Sequence, residues 1–330
     1  MVVIACLGLL LSGCSDEDPE PPAADGCNGH VELCDRGYDE VAYAATHNSM
    51  SAADERGWLF TEQPEGIIPQ LDYGVRVLLI DSWYGQATDR RGIVATADKS
   101  RGEAFAQAEA DFGARPVAAA LRVRRAAGLA PTGDVRAYLC HAMCELGSTS
   151  WVRNLREVKD WLDELPREVV TLFVQDEVSP ADTADVFEAA GVMPYVYTPD
   201  GNGWPTLGEM IDDGTRLVVL MENRDGGDRY PWLIPGFDVV QDTPYLFESP
   251  DDFSCEPNRG PADASLFLVN HWINDWRRVP QNSTIVNARP VLLKRVRQCE
   301  DERGRLSNFV AVDYYDRGDL IGVVDELNGL

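Results

Sequence analysis

The stretch "VAYAATHNSM" (41–50) is an apolar run that stops at a threonine and then presents a histidine and an asparagine. A near-continuous apolar run of this length reads as a strand covered on both faces, as in the parallel sheets of α/β proteins. A strand that ends on His47 and Asn48 is worth following outward, because the chain has only four histidines.

Similar runs recur along the chain. They are "VRVLLID" (75–81), "VRAYLCH" (135–141), "EVVTLFVQD" (168–176), "YVYT" (195–198), "TRLVVLME" (215–222), "ASLFLVNH" (264–271) and "NFVAVDYY" (308–315). Between them lie helical patterns. "WVRNLREVKDWLDELP" (151–166) places Trp151, Leu155, Val158 and Leu162 on one face. "PTLGEMIDDG" and "RPVLLKRVRQCEDERG" read as further helices, the latter stopped by a glycine. Eight strands alternating with helices predict a (β/α)₈ barrel, an architecture of about 250 residues that keeps its chemistry at the C-terminal ends of its strands. A doubly wound sheet would show a glycine-rich turn after a strand, and none is present. The segment 86–134 is longer than a barrel connection needs and is read as an insertion.

The residues that close the runs are His47 and Asn48, Asp81, His141, Asp176 with Glu177, Glu222, His271 and Asp313. Three of the four histidines therefore fall at strand ends. Two imidazoles flanked by carboxylates suit general acid–base chemistry near neutral pH. Asn48 and Asp81 carry oxygen donors that suit a hard cation such as calcium better than zinc. His30 sits in a cysteine-bounded loop and is read as structural. Asp313 is read as a supporting group. Glu222, His271 and Trp83 are candidates for contacts with substrate.

The formal net charge is −26 over 330 residues. Nucleic-acid binding relies on clustered Lys and Arg, so this balance argues against it. The start, "MVVIACLGLLLSGC", has an apolar run too short to span a bilayer. It resembles the lipobox of bacterial lipoproteins, with Cys14 lipidated after removal of 1–13. Residues 14–36, acidic and proline-rich at first, then read as a tether, and 37–330 as one barrel domain. Six cysteines remain beyond the leader and allow 15 pairings. Local spacing favours Cys27 with Cys34 and Cys140 with Cys144, which leaves Cys255 with Cys299. An exported, lipid-anchored protein of the cell envelope, monomeric and disulfide-bonded, is expected.

"ATHNSM", "QLDYGVRVLLIDSWYG" and "YLCHAMCELG", with "LFLVNHW" and "NFVAVDYYDRGDLIGVVDELNG", resemble the X-domain of phosphatidylinositol-specific phospholipases C and their secreted PLC-like phosphodiesterase relatives. The resemblance covers most of 38–328 and leaves 86–134 outside. It implies a distorted TIM barrel that cleaves a phosphodiester by intramolecular attack. His47 would be the general base and His141 the general acid, with Asp81 beside them. Asn48 and Asp81 match calcium-holding positions of the metal-dependent members, and Asp176 or Glu222 would have to complete the set. Two departures stand against a full site: Leu79 and Gln175 occupy positions where those members carry glutamate. The substrate expected is phosphatidylinositol. The alternatives are another phosphodiester (a glycerophosphodiester, a sphingolipid or a glycan) on the same barrel, or an inert barrel kept as a surface binding lipoprotein.

Overall fold

A computed structural model describes residues 25–330. The leader, Cys14 and the first part of the expected tether lie outside the described residues. The tether itself does not reach residue 36. From Cys27 onward the chain is packed, with Cys27, Leu33 and Tyr38 buried in the same apolar cluster as the barrel-facing side chains Val77, Val218 and Phe309. The Cys27–Cys34 disulfide closes this N-terminal plug.

Among the described residues eleven strands form one sheet: β1 (Tyr43–Thr46), β2 (Val77–Thr88), β3 (Val94–Thr96), β4 (Pro131–Leu139), β5 (Thr149–Ser150), β6 (Val170–Asp176), β7 (Leu217–Met221), β8 (Ile234–Pro235), β9 (Val240–Asp242), β10 (Leu266–His271) and β11 (Phe309–Val312). The main path runs β8-β7-β6-β2-β1-β11-β10-β9, and every pairing along it is parallel. Eight parallel strands in this order make the expected distorted (β/α)₈ barrel. Its seam lies between β8 and β9, which are not neighbours in the sheet.

The near-continuous apolar runs are explained by what covers each face. Along the sheet, Ala44, Leu78, Ile80, Leu172, Val174, Val219 and Val310 join one cluster, together with the helix residues Trp151, Leu155 and Val158. The alternate residues Tyr43, Ala45, Val77, Phe173, Leu220, Leu268 and Phe309 fill the barrel interior. Neither face meets water, so neither needs polar residues. Among the described residues ten helices accompany the strands: α1 (Ile67–Tyr73), α2 (Arg101–Phe112), α3 (Ala114–Ala127), α4 (Trp151–Glu164), α5 (Pro180–Ala190), α6 (Leu207–Asp212), α7 (Gly236–Val239), α8 (Val279–Val286), α9 (Arg289–Arg303) and α10 (Leu320–Asn328). The predicted face of α4 is the buried one, and the Ser150 side chain caps its first turn by accepting from the Arg153 N–H.

Two expected barrel strands are not barrel strands. "VRAYLCH" forms the end of β4, which runs antiparallel to β2 and to β5 and lies off the main path. "YVYT" is a 3-10 turn and a single bridge from Val196 to Leu217. Their places are taken by β8 and β9, of two and three residues. The expected insertion contains β3, α2, α3 and the outer half of β4. It grows from β2, which continues past the barrel rim to Thr88.

Candidate active site

A cleft of about 540 Å³ opens at the C-terminal ends of the strands. His47 and Asn48 enter it directly after β1, and Asp313 directly after β11. His141 reaches the same place by another route. β2 projects beyond the rim, and its antiparallel partner β4 returns the chain to the mouth of the barrel.

The backbone is tightly constrained at each of these points. Four non-glycine residues have positive φ among the described residues: Asn28, Asn48, Ala142 and Tyr314. The last three immediately follow His47, His141 and Asp313. Such conformations are sparsely populated for side-chain-bearing residues, and they concentrate at functional sites. A disulfide between Cys140 and Cys144 closes the loop that carries His141.

The two imidazole rings lie 6.4 Å apart, edge to face. His47 Nδ1 is 2.9 Å from Asp313 Oδ1, and its ring stacks on Trp272 at 3.8 Å. With the buried Asp313 carboxylate accepting from Nδ1–H, Nε2 is the acceptor nitrogen of the ring. Nε2 faces the Asn48 amide at 3.0 Å. The same amide nitrogen lies 3.3 Å from His141 Nδ1. His141 Nδ1 is also 3.3 Å from Glu62 Oε1, while its Nε2 is 3.2 Å from Asp111 Oδ2. Each histidine thus has carboxylate company of its own.

Charge and burial set the protonation of the pair. Burial acts to lower the pKa of His47, but the Asp313 carboxylate outweighs it and leaves the ring above the ordinary histidine value. For His141 burial again pulls down, and Glu62 with Asp111 outweighs it more strongly, so this ring is held well above the ordinary value. Burial also raises Asp313, to about 6, against the opposing pull of His47. Burial raises Asp81 to about 7, partly offset by His141 and His47.

The remaining expected residues separate into those inside and outside the cleft. Asp81 and Glu222 line it. Glu222 holds Arg259, whose other nitrogens are taken by Asp242 at 2.6 and 3.0 Å. This triad joins the ends of β7 and β9 across the barrel seam. Asp176 is not among the lining residues. Its Oδ1 accepts from the Asn223 N–H at 2.7 Å, and it is fully buried. The reason is strand parity: Phe173, Gln175 and Glu177 face the cleft, so Asp176 faces away. His271 is fully buried too. Its Nε2 is 2.9 Å from the Val286 carbonyl, it stacks on Phe253, and burial pushes its pKa down to about 3. Trp83 is a core residue beneath α2 and α3, packed in one cluster with Ala104, Phe112 and Val117. His271 and Trp83, expected at the substrate, are therefore buried in the fold and do not line the cleft.

The calcium set does not assemble. Calcium takes six to eight oxygen ligands. Of the expected ligands the cleft offers the Asp81 carboxylate and the Asn48 carboxamide, with Leu79 and Gln175 at the neighbouring positions, Glu222 engaged by Arg259 and Asp176 turned away. Among the described residues no three His, Cys, Asp or Glu side chains converge as a metal centre requires. The residues present do not fit the ion.

Three residues of the cleft carried no signal in the chain. Glu62 lies in a loop, Asp111 at the end of α2, and Trp272 just past β10. The six cysteines beyond the leader form the two locally favoured pairs and the pair these leave, Cys255–Cys299.

Known proteins share this arrangement of chain. The family model described as PI-PLC X 1 matches residues 123–328. "PI-PLC X domain-containing protein 1" of Arthroderma benhamiae is 27% identical over 345 residues, covering 98% of this chain and 96% of that protein. An "Uncharacterized secreted protein" of the same fungus is 25% identical over 339 residues, covering 94% of this chain and 64% of that protein. Among solved structures, a pentafluoro-Phe-containing phosphatidylinositol-specific phospholipase C from Staphylococcus aureus matches with a TM-score of 0.52. That match has 11% identity and covers 89% of this chain and 94% of the other, a likeness of fold alone. The match over 123–328 spans more than half of the 330 residues, and the chain belongs to the PI-PLC X family.

Proposed function

We propose that this protein is a phosphodiesterase of the phosphatidylinositol phospholipase C type, working through His47 as general base and His141 as general acid. One observation carries the reading: two histidines share one cleft, each paired with its own carboxylates, so that one can serve as base and the other as acid. A binding module has no need of that division.

The steps follow from the geometry. His47 Nε2 takes the proton of a hydroxyl that neighbours the phosphodiester, and that oxygen attacks phosphorus. The bond from phosphorus to the leaving alcohol breaks, and protonated His141 gives its proton to the departing oxygen. The product is a cyclic phosphate, which water opens with the two roles exchanged. Asp313 holds His47 in the tautomer that frees Nε2, and Trp272 fixes the plane of its ring. Protonated His141 and the Asn48 amide are the groups that meet the phosphate charge. No step is routed through a metal.

The charge of the cleft narrows the substrate. Arg259 is the one Lys or Arg lining it among the described residues, and Glu222 and Asp242 already engage it. Seven carboxylates share the lining. A head group with no further phosphates fits this balance, which favours phosphatidylinositol over its phosphorylated forms. Three disulfides and the relative named as secreted support export of the protein. Attachment through a lipidated Cys14 is part of the same proposal.

The test is turnover of a panel of phosphatidylinositol, its 4,5-bisphosphate, glycerophosphoinositol and sphingomyelin by protein beginning at Ser15. Cleavage of phosphatidylinositol ahead of the bisphosphate is expected. Cleavage confined to sphingomyelin or glycerophosphodiesters would keep the mechanism and replace the substrate.

A further inference from the structure

We propose that the excursion at 86–134 is a working part of the catalytic acid: Asp111, at the end of α2, positions His141 so that Nδ1 faces the phosphodiester. The inference rests on the reading of His141 as general acid. It adds a residue, Asp111, that precedes the matched region 123–328, from a segment that overlaps that region only at 123–134.

The orientation of the ring carries the argument. His141 Nδ1 is on the side of His47, because the Asn48 amide nitrogen is 3.3 Å from it and 3.0 Å from His47 Nε2. His141 Nε2 points the other way, to Asp111 Oδ2 at 3.2 Å. Glu62 Oε1 also lies on the Nδ1 side at 3.3 Å, so the ring sits between two carboxylates, and the one on Nε2 fixes the ring plane with Nδ1 turned toward His47. Asp111 therefore holds the far side of the His141 ring as Asp313 holds the far side of the His47 ring.

The excursion holds the acid loop at a second point. The Cys144 N–H donates to Thr96 Oγ1 at 2.9 Å, and the Thr96 hydroxyl donates to Glu145 Oε2 at 2.6 Å. Arg101, at the start of α2, donates to Glu145 Oε1 at 2.8 Å. At its other end, Phe112 sets its ring edge to face against His141 at 5.0 Å and stacks on Phe60 at 4.3 Å. Both the backbone and the ring of the acid are thus registered against α2. The Asp111 side chain is 29% exposed, so replacing it leaves the packing of α2 in place.

The experiment compares Asp111→Asn, Asp111→Ala and Asp111→Glu in the full chain on two esters of inositol 1-phosphate. One ester has an alkyl leaving group, which needs a proton to depart. The other has a 4-nitrophenyl leaving group, which departs as the anion. Asparagine and alanine are expected to lower kcat on the alkyl ester by at least 10-fold, within the roughly 10²–10⁴-fold that a general acid contributes. KM should stay unchanged, the aryl ester should be cleaved at near the wild-type rate, and glutamate should restore part of the loss. Equal losses on both esters, or no loss on either, would overturn the positioning role while leaving the phosphodiesterase reading intact. A wild-type protein that cleaves neither ester would remove both.

Discussion

His47 Nδ1 lies 2.9 Å from Asp313 Oδ1, although 266 residues separate them in the chain. They meet because β1 and β11 are neighbouring parallel strands, with Thr46 in register with Val312, so the two following residues leave the sheet side by side. Replacing Asp313 with asparagine offers His47 an amide in place of a carboxylate and frees the wrong tautomer. A fall in kcat of roughly 10²–10⁴-fold is expected, with KM little changed. Steady-state kinetics checks this, with a melting curve to confirm that the variant is folded.

The pH dependence follows from the signs of the two shifts. Activity needs His47 neutral, so it is lost as pH falls below a pKa that Asp313 holds above the ordinary histidine value of about 6.5. Activity needs His141 charged, so it is lost as pH rises past a pKa that Glu62 and Asp111 hold higher still. The profile of kcat/KM is expected to be a bell with both limbs on the alkaline side of 6.5. Glu62→Gln removes one of the carboxylates that sustain the His141 charge and should draw the descending limb downward.

Two disulfides should separate catalysis from stability. Cys140–Cys144 spans 4 residues and carries His141 within its ring, so Cys140→Ser with Cys144→Ser should cut kcat at small cost in stability. Cys255–Cys299 spans 44 residues, and removing it should cost about 4 kcal/mol by loop entropy. Its folded fraction should keep normal kcat. Paired measurements of kcat and urea midpoints would reveal the opposite pattern if the roles were reversed.

His271 should matter to acid stability and not to turnover. Burial holds it neutral in the fold, down to about 3, whereas the unfolded chain takes up a proton near 6.5. A depressed folded pKa gives a contribution that is complete above 6.5 and is lost as pH falls, at about 1.4 kcal/mol per pH unit. His271→Gln keeps a donor for the Val286 carbonyl and removes this titration. The difference in stability between the variant and wild type should therefore narrow from pH 7 to pH 4, with kcat unaffected throughout.

Much of the barrel was legible because burial on both faces leaves an unbroken apolar run, and β1, β2, β6, β7, β10 and β11 all carry one. What failed was non-local. "VRAYLC" has the composition of a barrel strand, but direction comes from its partner β2, and β8 and β9 are too short to show any period. The His47 and His141 positions were legible as histidines closing such runs. Asp176 was lost by a single step of strand parity, which also undid the calcium set. Glu62 and Asp111 sit on a loop and a helix end, where no periodicity marks a residue that faces a cleft.

The most direct measurement follows phosphatidylinositol cleavage by ³¹P NMR in the presence of EDTA, with wild-type protein and with His47→Ala. The account predicts a cyclic inositol phosphate resonance that grows with the wild type and is absent with the variant. A resonance that persists in His47→Ala, or wild-type turnover that vanishes in EDTA and returns with calcium, would contradict it.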